Sequence, residues 1–202
     1  MQVAIIDYGM GNVASVEKAL TFLGISSKLT KDRSEIESAG FIILPGVGAF
    51  NQGMDNLQKS GLIEVLNLEV INKKKPFMGI CLGMQLIAEK GYEPKDCRGL
   101  GWIEGEVIKI EEPGKSIPHL GWNEISARGN SIMSEFDKKD FYFIHSYHFD
   151  VKNPERILAT VNYGNDYVAA VQKDNIFAAQ FHPEKSQTSG LALMKNFFEF
   201  YA

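Results

Sequence analysis

The chain has 202 residues, 45% hydrophobic and 23% charged, with a net charge of −4. This is ordinary for a soluble globular protein, and it leaves no basic excess for nucleic acid or an anionic membrane surface. No apolar stretch approaches the roughly 20 residues of a transmembrane helix. The two cysteines suit a reducing cytoplasm. The length predicts one domain over 1–202. The chain enters a strand at once, without the charged and apolar regions of a signal peptide, so a cytoplasmic protein is expected. The runs Lys73-Lys74-Lys75 and Lys138-Lys139 read as solvated surface.

In chain order, Gln2 to Asp7 is a short apolar strand. Asn12 can cap a helix whose apolar face runs Val13, Val16, Ala19, Leu20 and Leu23, and Gly24 stops it. Gly9-Met10-Gly11 begins a dinucleotide-like pattern, but Ala14 stands where the third glycine belongs, and Glu35 is only roughly where an acid is wanted. Ile25 to Thr30 and Phe41 to Leu44 read as further strands. Gln52 to Asn72 is mostly helical, broken near Ser60-Gly61. Phe77 to Ile80 is a strand, and Leu82 to Glu89 an amphipathic helix. This alternation predicts a mostly parallel sheet covered by helices, with Gly-rich loops gathered at the strands' C-terminal edge.

The second half changes character. Trp102 to Ile110, Glu124 to Ala127, Phe141 to Ile144, Ser146 to Val151, Leu158 to Tyr163, Tyr167 to Gln172 and Ile176 to Phe181 are short strands. Lys173-Asp174-Asn175 reads as a hairpin turn. The expectation is a set of added antiparallel strands, not a second domain. Gln187 to Tyr201 closes the chain as an amphipathic helix.

Gly79-Ile80-Cys81-Leu82-Gly83 joins the Phe77 strand to the Leu82 helix. A nucleophile flanked by glycines in this way sits on a sharp strand-to-helix elbow. The helix N-terminus behind it lowers a thiol pKa and offers N–H groups, first that of Leu82, to an oxyanion. A thiol nucleophile needs a base, and the base an orienting carboxylate. His182 and Glu184 follow the Ile176 strand and supply both, 101 residues from Cys81, so only a fold joins them. His145 is the rival base, disfavoured because no acid lies two or three positions away, and His119 and His148 read as ordinary histidines. Cys97 reads as a structural thiol. No Cys/His spacing suggests a metal, and no cofactor is expected.

Gly79 to Gln85, with Gln180-Phe181-His182-Pro183-Glu184, resembles the class I (triad) glutamine amidotransferases, and Pro45-Gly46-Val47-Gly48 resembles that family's oxyanion strand. The segments Ile6 to Asn12, Pro118 to Asn123, His145-Ser146-Tyr147 and His182 to Ser186 narrow the resemblance. They look like the glutaminase subunits of imidazole glycerol phosphate synthases, from histidine biosynthesis. The motifs keep the family's order from Met1 to about Ala202.

The resemblance implies a flavodoxin-like α/β fold and hydrolysis of glutamine to glutamate and ammonia by Cys81, His182 and Glu184. It implies a second oxyanion donor at the Val47 or Gly48 N–H, through a peptide flip, beside that of Leu82. It makes Gln85 a contact to the substrate's amino-acid end, and the Ser146 and Tyr147 backbones further glutamine contacts. It also implies a heterodimer with a cyclase subunit of (β/α)8 barrel fold that receives the ammonia. The docking face would include Tyr8 to Asn12, His119 to Asn123 and Lys185, with Asn12, Trp122, Asn123 and Lys185 as its interface residues. Trp122 reads equally as an interface anchor or a core residue. Three alternatives stay open. One is a paralogous glutaminase feeding another acceptor, such as a surface-sugar amidination enzyme. The others are a non-catalytic regulatory subunit and a related cysteine protease or amidase.

Overall fold

A computed structural model describes residues 2–129 and 131–202; Met1 and Asn130, within the single-domain reading of 1–202, lie outside them. Along the chain run β1 (Gln2–Ile6), α1 (Val13–Phe22), β2 (Ser26–Thr30), α2 (Arg33–Ser38), β3 (Phe41–Gly46), α3 (Phe50–Lys59) and α4 (Leu62–Leu66). The last of these continues into a π-helical turn at Asn67–Asn72. Then come β4 (Phe77–Cys81), α5 (Leu82–Gln85), β5 (Lys90–Gly91), β6 (Cys97–Arg98), β7 (Gly105–Lys109), β8 (His119–Ala127), β9 (Asp140–His145) and β10 (Tyr147–Val151). The chain ends with β11 (Ile157–Tyr163), β12 (Asn165–Lys173), β13 (Ile176–Ala179) and α6 (Gln187–Phe200).

Nine strands form one sheet in the order β2-β1-β3-β4-β13-β12-β11-β8-β9. From β2 to β13 neighbours are parallel, and from β13 outward they are antiparallel. The inner strands are buried on both faces, which is why they read as continuous apolar runs. Their side chains alternate between two cores. Val3, Ile5, Phe41 and Ile43 pack toward α1 and α6. Ala4, Ile6, Ile42 and Leu44 pack toward α3, α4 and the loops after α5.

Several boundaries differ from the sequence reading, each for a local reason. Asn12 makes no side-chain cap; its carbonyl accepts from Ser15 N instead. α2 went unread, although Asp32 caps it by accepting from Glu35 N at 3.1 Å. Glu35 itself is tied to Lys28 and Thr30, so no acid waits at a dinucleotide site.

The Leu82 helix ends at Gln85, not Glu89, and the carbonyls of Leu86, Ile87 and Ala88 pair with another segment. Leu100 N donates to Leu86 O, Trp102 N to Ile87 O and Gly101 N to Ala88 O. Trp102 accordingly belongs to that loop and not to a strand: its indole donates to Asn67 and its ring packs edge-on against Phe77. The added strands also do not all extend the main sheet, for β10, β7, β5 and β6 make a separate four-stranded sheet.

Candidate functional site

β4 and β13 are parallel neighbours, paired through Ile80 and Ala179, so the residues that follow them emerge side by side at one sheet edge. This places Cys81 and His182 together across 101 residues of sequence. Cys81 has φ +54 and ψ −107, a strained pose for a residue with a Cβ, and it opens directly into α5. Both flanking glycines are required by close approach. A Cβ on Gly83 would lie 1.8 Å from Leu44 O, and one on Gly79 would lie 2.8 Å from Gly83 O. The turn folds tightly because nothing projects at these two positions.

Behind Cys81, the His182 ring is buried, at 1% exposure, and its Nδ1 is 2.8 Å from Glu184 Oε1. Its backbone is fixed by His182 N donating to Tyr142 O and by Ser186 Oγ donating to His182 O. The other ring nitrogen, Nε2, has no hydrogen-bond partner. Burial alone would lower the pKa of His182. Electrostatic attraction to Cys81, then the hydrogen bond and charge of Glu184, outweigh it and push the imidazole up to about 10. The ring is therefore held in its charged form at neutral pH. Cys81 Sγ also lies 3.9 Å from Ile144 O and 3.8 Å from Gln180 Nε2.

In front of Cys81 lies a cavity of about 490 Å³. Val47, Gly48, Leu82, Gln85, Ser146 and Tyr147 all line it. Gly48 sits at φ +104. Gln85 is buried. Its Nε2 donates to Tyr147 O and to Gln180 Oε1, both at 3.0 Å. Glu93 also lines this cavity, and burial raises its carboxyl pKa. Sequence reasoning missed Glu93 and Gln180. Nothing local marks Glu93, a loop acid 12 residues past Cys81. Gln180 had a signal, since it alternates with His182 on the strand exit.

The rival base has both ring nitrogens engaged. His145 is buried, with Nδ1 at 2.8 Å from Tyr147 O and Nε2 at 3.0 Å from His119 Nδ1. Burial, first among the causes, lowers its pKa to about 3. His148 packs edge-on against Tyr167. Cys97 is half-buried and its thiol donates to Arg98 O.

Of the expected docking residues, Lys185 reaches the cavity wall, whereas Asn12, Trp122 and Asn123 do not. Tyr8 and His119 are buried, so they lie behind that face and not on it. Trp122 is 45% exposed, which removes the core reading. On the same face of the β8–β9 ladder stand Leu120 and Ile144, 57% and 39% exposed and paired with each other. No helix among the described residues is long and apolar enough to cross a membrane.

The family model described as Glutamine amidotransferase class-I matches residues 4–200. The chain is 48% identical over 198 residues to imidazole glycerol phosphate synthase subunit HisH 1 of Campylobacter jejuni subsp. jejuni, covering 96% of this chain and 98% of that one. It is 46% identical over 203 residues to subunit HisH 2 of Pseudomonas aeruginosa, covering 98% of each. Among solved structures, PurLQS from Thermotoga maritima superposes with a TM-score of 0.77 at 16% identity, over 100% of this chain and 99% of that one. A glutamine amidotransferase does so at 0.74 and 19%, over 98% of both. At such identities these two establish the fold alone.

Proposed function

The chain belongs to the class I glutamine amidotransferases, and from that premise we propose that it is the glutaminase subunit of an imidazole glycerol phosphate synthase. One domain, 1–202, hydrolyses L-glutamine and passes the ammonia to a cyclase subunit of (β/α)8 barrel fold. That partner makes imidazole glycerol phosphate and aminoimidazole carboxamide ribotide in histidine biosynthesis. The observation that carries the reading is the strained Cys81 elbow backed by the buried His182–Glu184 pair and facing the cavity of Gln85, Ser146 and Tyr147. The near full-length relatives direct it to this synthase.

The chemistry follows from the geometry. The Cys81 thiolate adds to the side-chain amide carbon of glutamine, and the N–H of Leu82, with that of Val47 or Gly48, meets the oxyanion. The tetrahedral intermediate collapses as the C–N bond breaks. His182 gives its proton to the departing nitrogen, which leaves as ammonia. Water then attacks the thioester carbonyl, its proton passes to His182, and the C–S bond breaks to give glutamate and regenerate the thiolate–imidazolium pair. Glu184 orients the ring and stabilises its charge. Gln85 and the Ser146–Tyr147 backbone hold the amino-acid end, and Glu93 supplies the carboxylate for the α-ammonium.

Neutral ammonia is the nucleophile that the acceptor needs, and free ammonia is mostly protonated at neutral pH, so direct transfer to a docked partner is required. Asn12, Trp122, Asn123 and Lys185 contribute the docking face. The test is glutamate release by the purified chain, alone and with the cyclase plus its nucleotide ligand. A low basal rate raised strongly only in the full mixture is expected. Activity that ignores the cyclase would move the ammonia to another acceptor, and no release in any mixture would overturn the glutaminase.

A further inference from the structure

Two buried histidines are left over by this chemistry. His119 of β8 and His145 of β9 stand directly opposite each other in the strand ladder. His145 Nδ1 lies 2.8 Å from Tyr147 O, His145 Nε2 lies 3.0 Å from His119 Nδ1, and His119 Nε2 lies 2.9 Å from the side-chain amide of Asn123. Phe143 and Tyr163 stack on the His119 ring, with centroids at 4.9 and 4.0 Å, so it is held in place. The row continues beyond Tyr147, whose carbonyl also accepts from Gln85 Nε2. Gln85 Nε2 donates on to Gln180, whose amide reaches Cys81 Sγ.

The protons along this row can be counted. Tyr147 O can only accept, so His145 Nδ1 carries a hydrogen. A neutral imidazole has one, so His145 Nε2 accepts and His119 Nδ1 donates. His119 Nε2 is then a lone pair that needs a donor. With Asn123 Oδ1 facing it, three hydrogen bonds run between two accepting ends, and two neutral rings hold only two protons. Burial disfavours a third proton on either ring. Asn123, half-buried at the row's outer end, satisfies the neutral row by turning Nδ2 inward and Oδ1 outward.

We infer that His119 and His145 are positioning residues that join Asn123, on the docking strand, to the Tyr147 carbonyl, in the glutamine cavity, as one proton-ordered unit. Asn123 shares the inner face of β8 with His119, opposite the face that carries Trp122, so the row lies beneath the docking face. Ordered in this way, it holds the Tyr147–Gln85 end in its glutamine-binding arrangement. The identities of ligand and partner rest on the function proposed above; the proton order does not.

Nitrogen-15 spectra of histidine in the intact chain read the order directly. Both rings should show the Nδ1–H tautomer, the minor one for a free imidazole, and an Nε2–H ring at either position overturns the inference. The coupling is read from glutamine affinity by calorimetry in a Cys81→Ala background. Asn123→Ala should weaken glutamine severalfold. In a His119→Phe background, which keeps a ring between Phe143 and Tyr163, the same substitution should change affinity by less than about twofold. Equal losses in both backgrounds, or none in either, overturn the coupling. Should His119→Phe not fold, Asn123→Asp replaces it. A carboxylate only accepts, so the row must take up a third proton and one ring must become imidazolium; unchanged tautomers overturn the inference. A Cys81→Ala chain that binds no glutamine with Asn123 intact overturns the glutaminase reading instead, and the tautomer spectra still judge the row.

Discussion

At the scale of single residues, the site works by setting one proton. His182 is held charged against its own burial, and Cys81 contributes most to raising it. Cys81→Ala should abolish glutamate release, a loss on the order of 10⁴-fold or more. It should also move the His182 titration to lower pH, read by NMR. An unmoved titration would remove the thiolate as the ring's partner. The sign for stability follows from the same value. The folded pKa of about 10 lies above the ordinary 6.5. The stabilisation is therefore complete below about pH 6.5 and is lost as pH rises through about 10. Glutamine hydrolysis should fall over the same alkaline range, as the proton for the leaving ammonia is lost. Glu93 makes a second prediction. If its carboxylate takes the α-ammonium, Glu93→Gln should raise KM by about 10- to 100-fold and leave kcat much less affected, since a charged hydrogen bond contributes roughly 1.5–3 kcal/mol. Equal KM values would remove it from the substrate site.

At the scale of elements, the elbow between β4 and α5 is built by what is absent from it. Gly83→Ala would drive a Cβ to 1.8 Å from Leu44 O, a backbone atom that cannot step aside without shifting β3. The expected outcome is a loss of at least about 3 kcal/mol of stability, or no folded protein, measured by denaturant unfolding. A stable Gly83→Ala chain would show that the approach is not obligatory. The β8–β9 ladder makes the complementary case on the surface. Leu120, Trp122 and Ile144 are exposed on one face of it, beside an internal row of histidines that faces the cavity. Trp122→Ala should cost about 2 kcal/mol or more of partner affinity with unfolding unchanged, by titration against the cyclase. Undiminished affinity would move the anchor elsewhere.

At the scale of the whole molecule, the parallel half of the main sheet leads into Cys81 and His182, and the cavity's far wall comes from the end of β9 and the start of β10, where the main sheet meets the four-stranded one. On the function proposed above, a partner seated on β8 and β9 bears on the strand that supplies Ile144 and leads through Ser146 into Tyr147 of β10. On this layout glutamine turnover should depend on docking: adding the cyclase should raise kcat for glutamate release by at least about tenfold. Equal kcat values with and without it would show that the sheet transmits nothing.

How much of this the sequence held depends on range. The elbow was legible because Gly79, Cys81 and Gly83 sit within five residues, and a backbone turn is decided locally. His182 and Glu184 were legible as a pair for the same reason, two positions apart. The parallel strands were legible because burial on both faces leaves a continuous apolar run. Other features were set by contacts between distant segments. Leu86 to Glu89 has a helical pattern, yet its carbonyls went to residues 99–103, so propensity lost to a loop. Glu93 entered the cavity because its loop packs against the start of α3, where its carboxylate accepts from Phe50 N. Gln85 looked like any helix glutamine until Tyr147 and Gln180, 62 and 95 residues away, enclosed it. The histidine row needed the register of two strands to bring His119 to His145. The sequence by itself determined which residues could do chemistry, because residue type and local backbone are local properties. Tertiary structure alone decided which of them meet, and which protonation state each holds, because burial and partners come from segments that the chain order keeps apart.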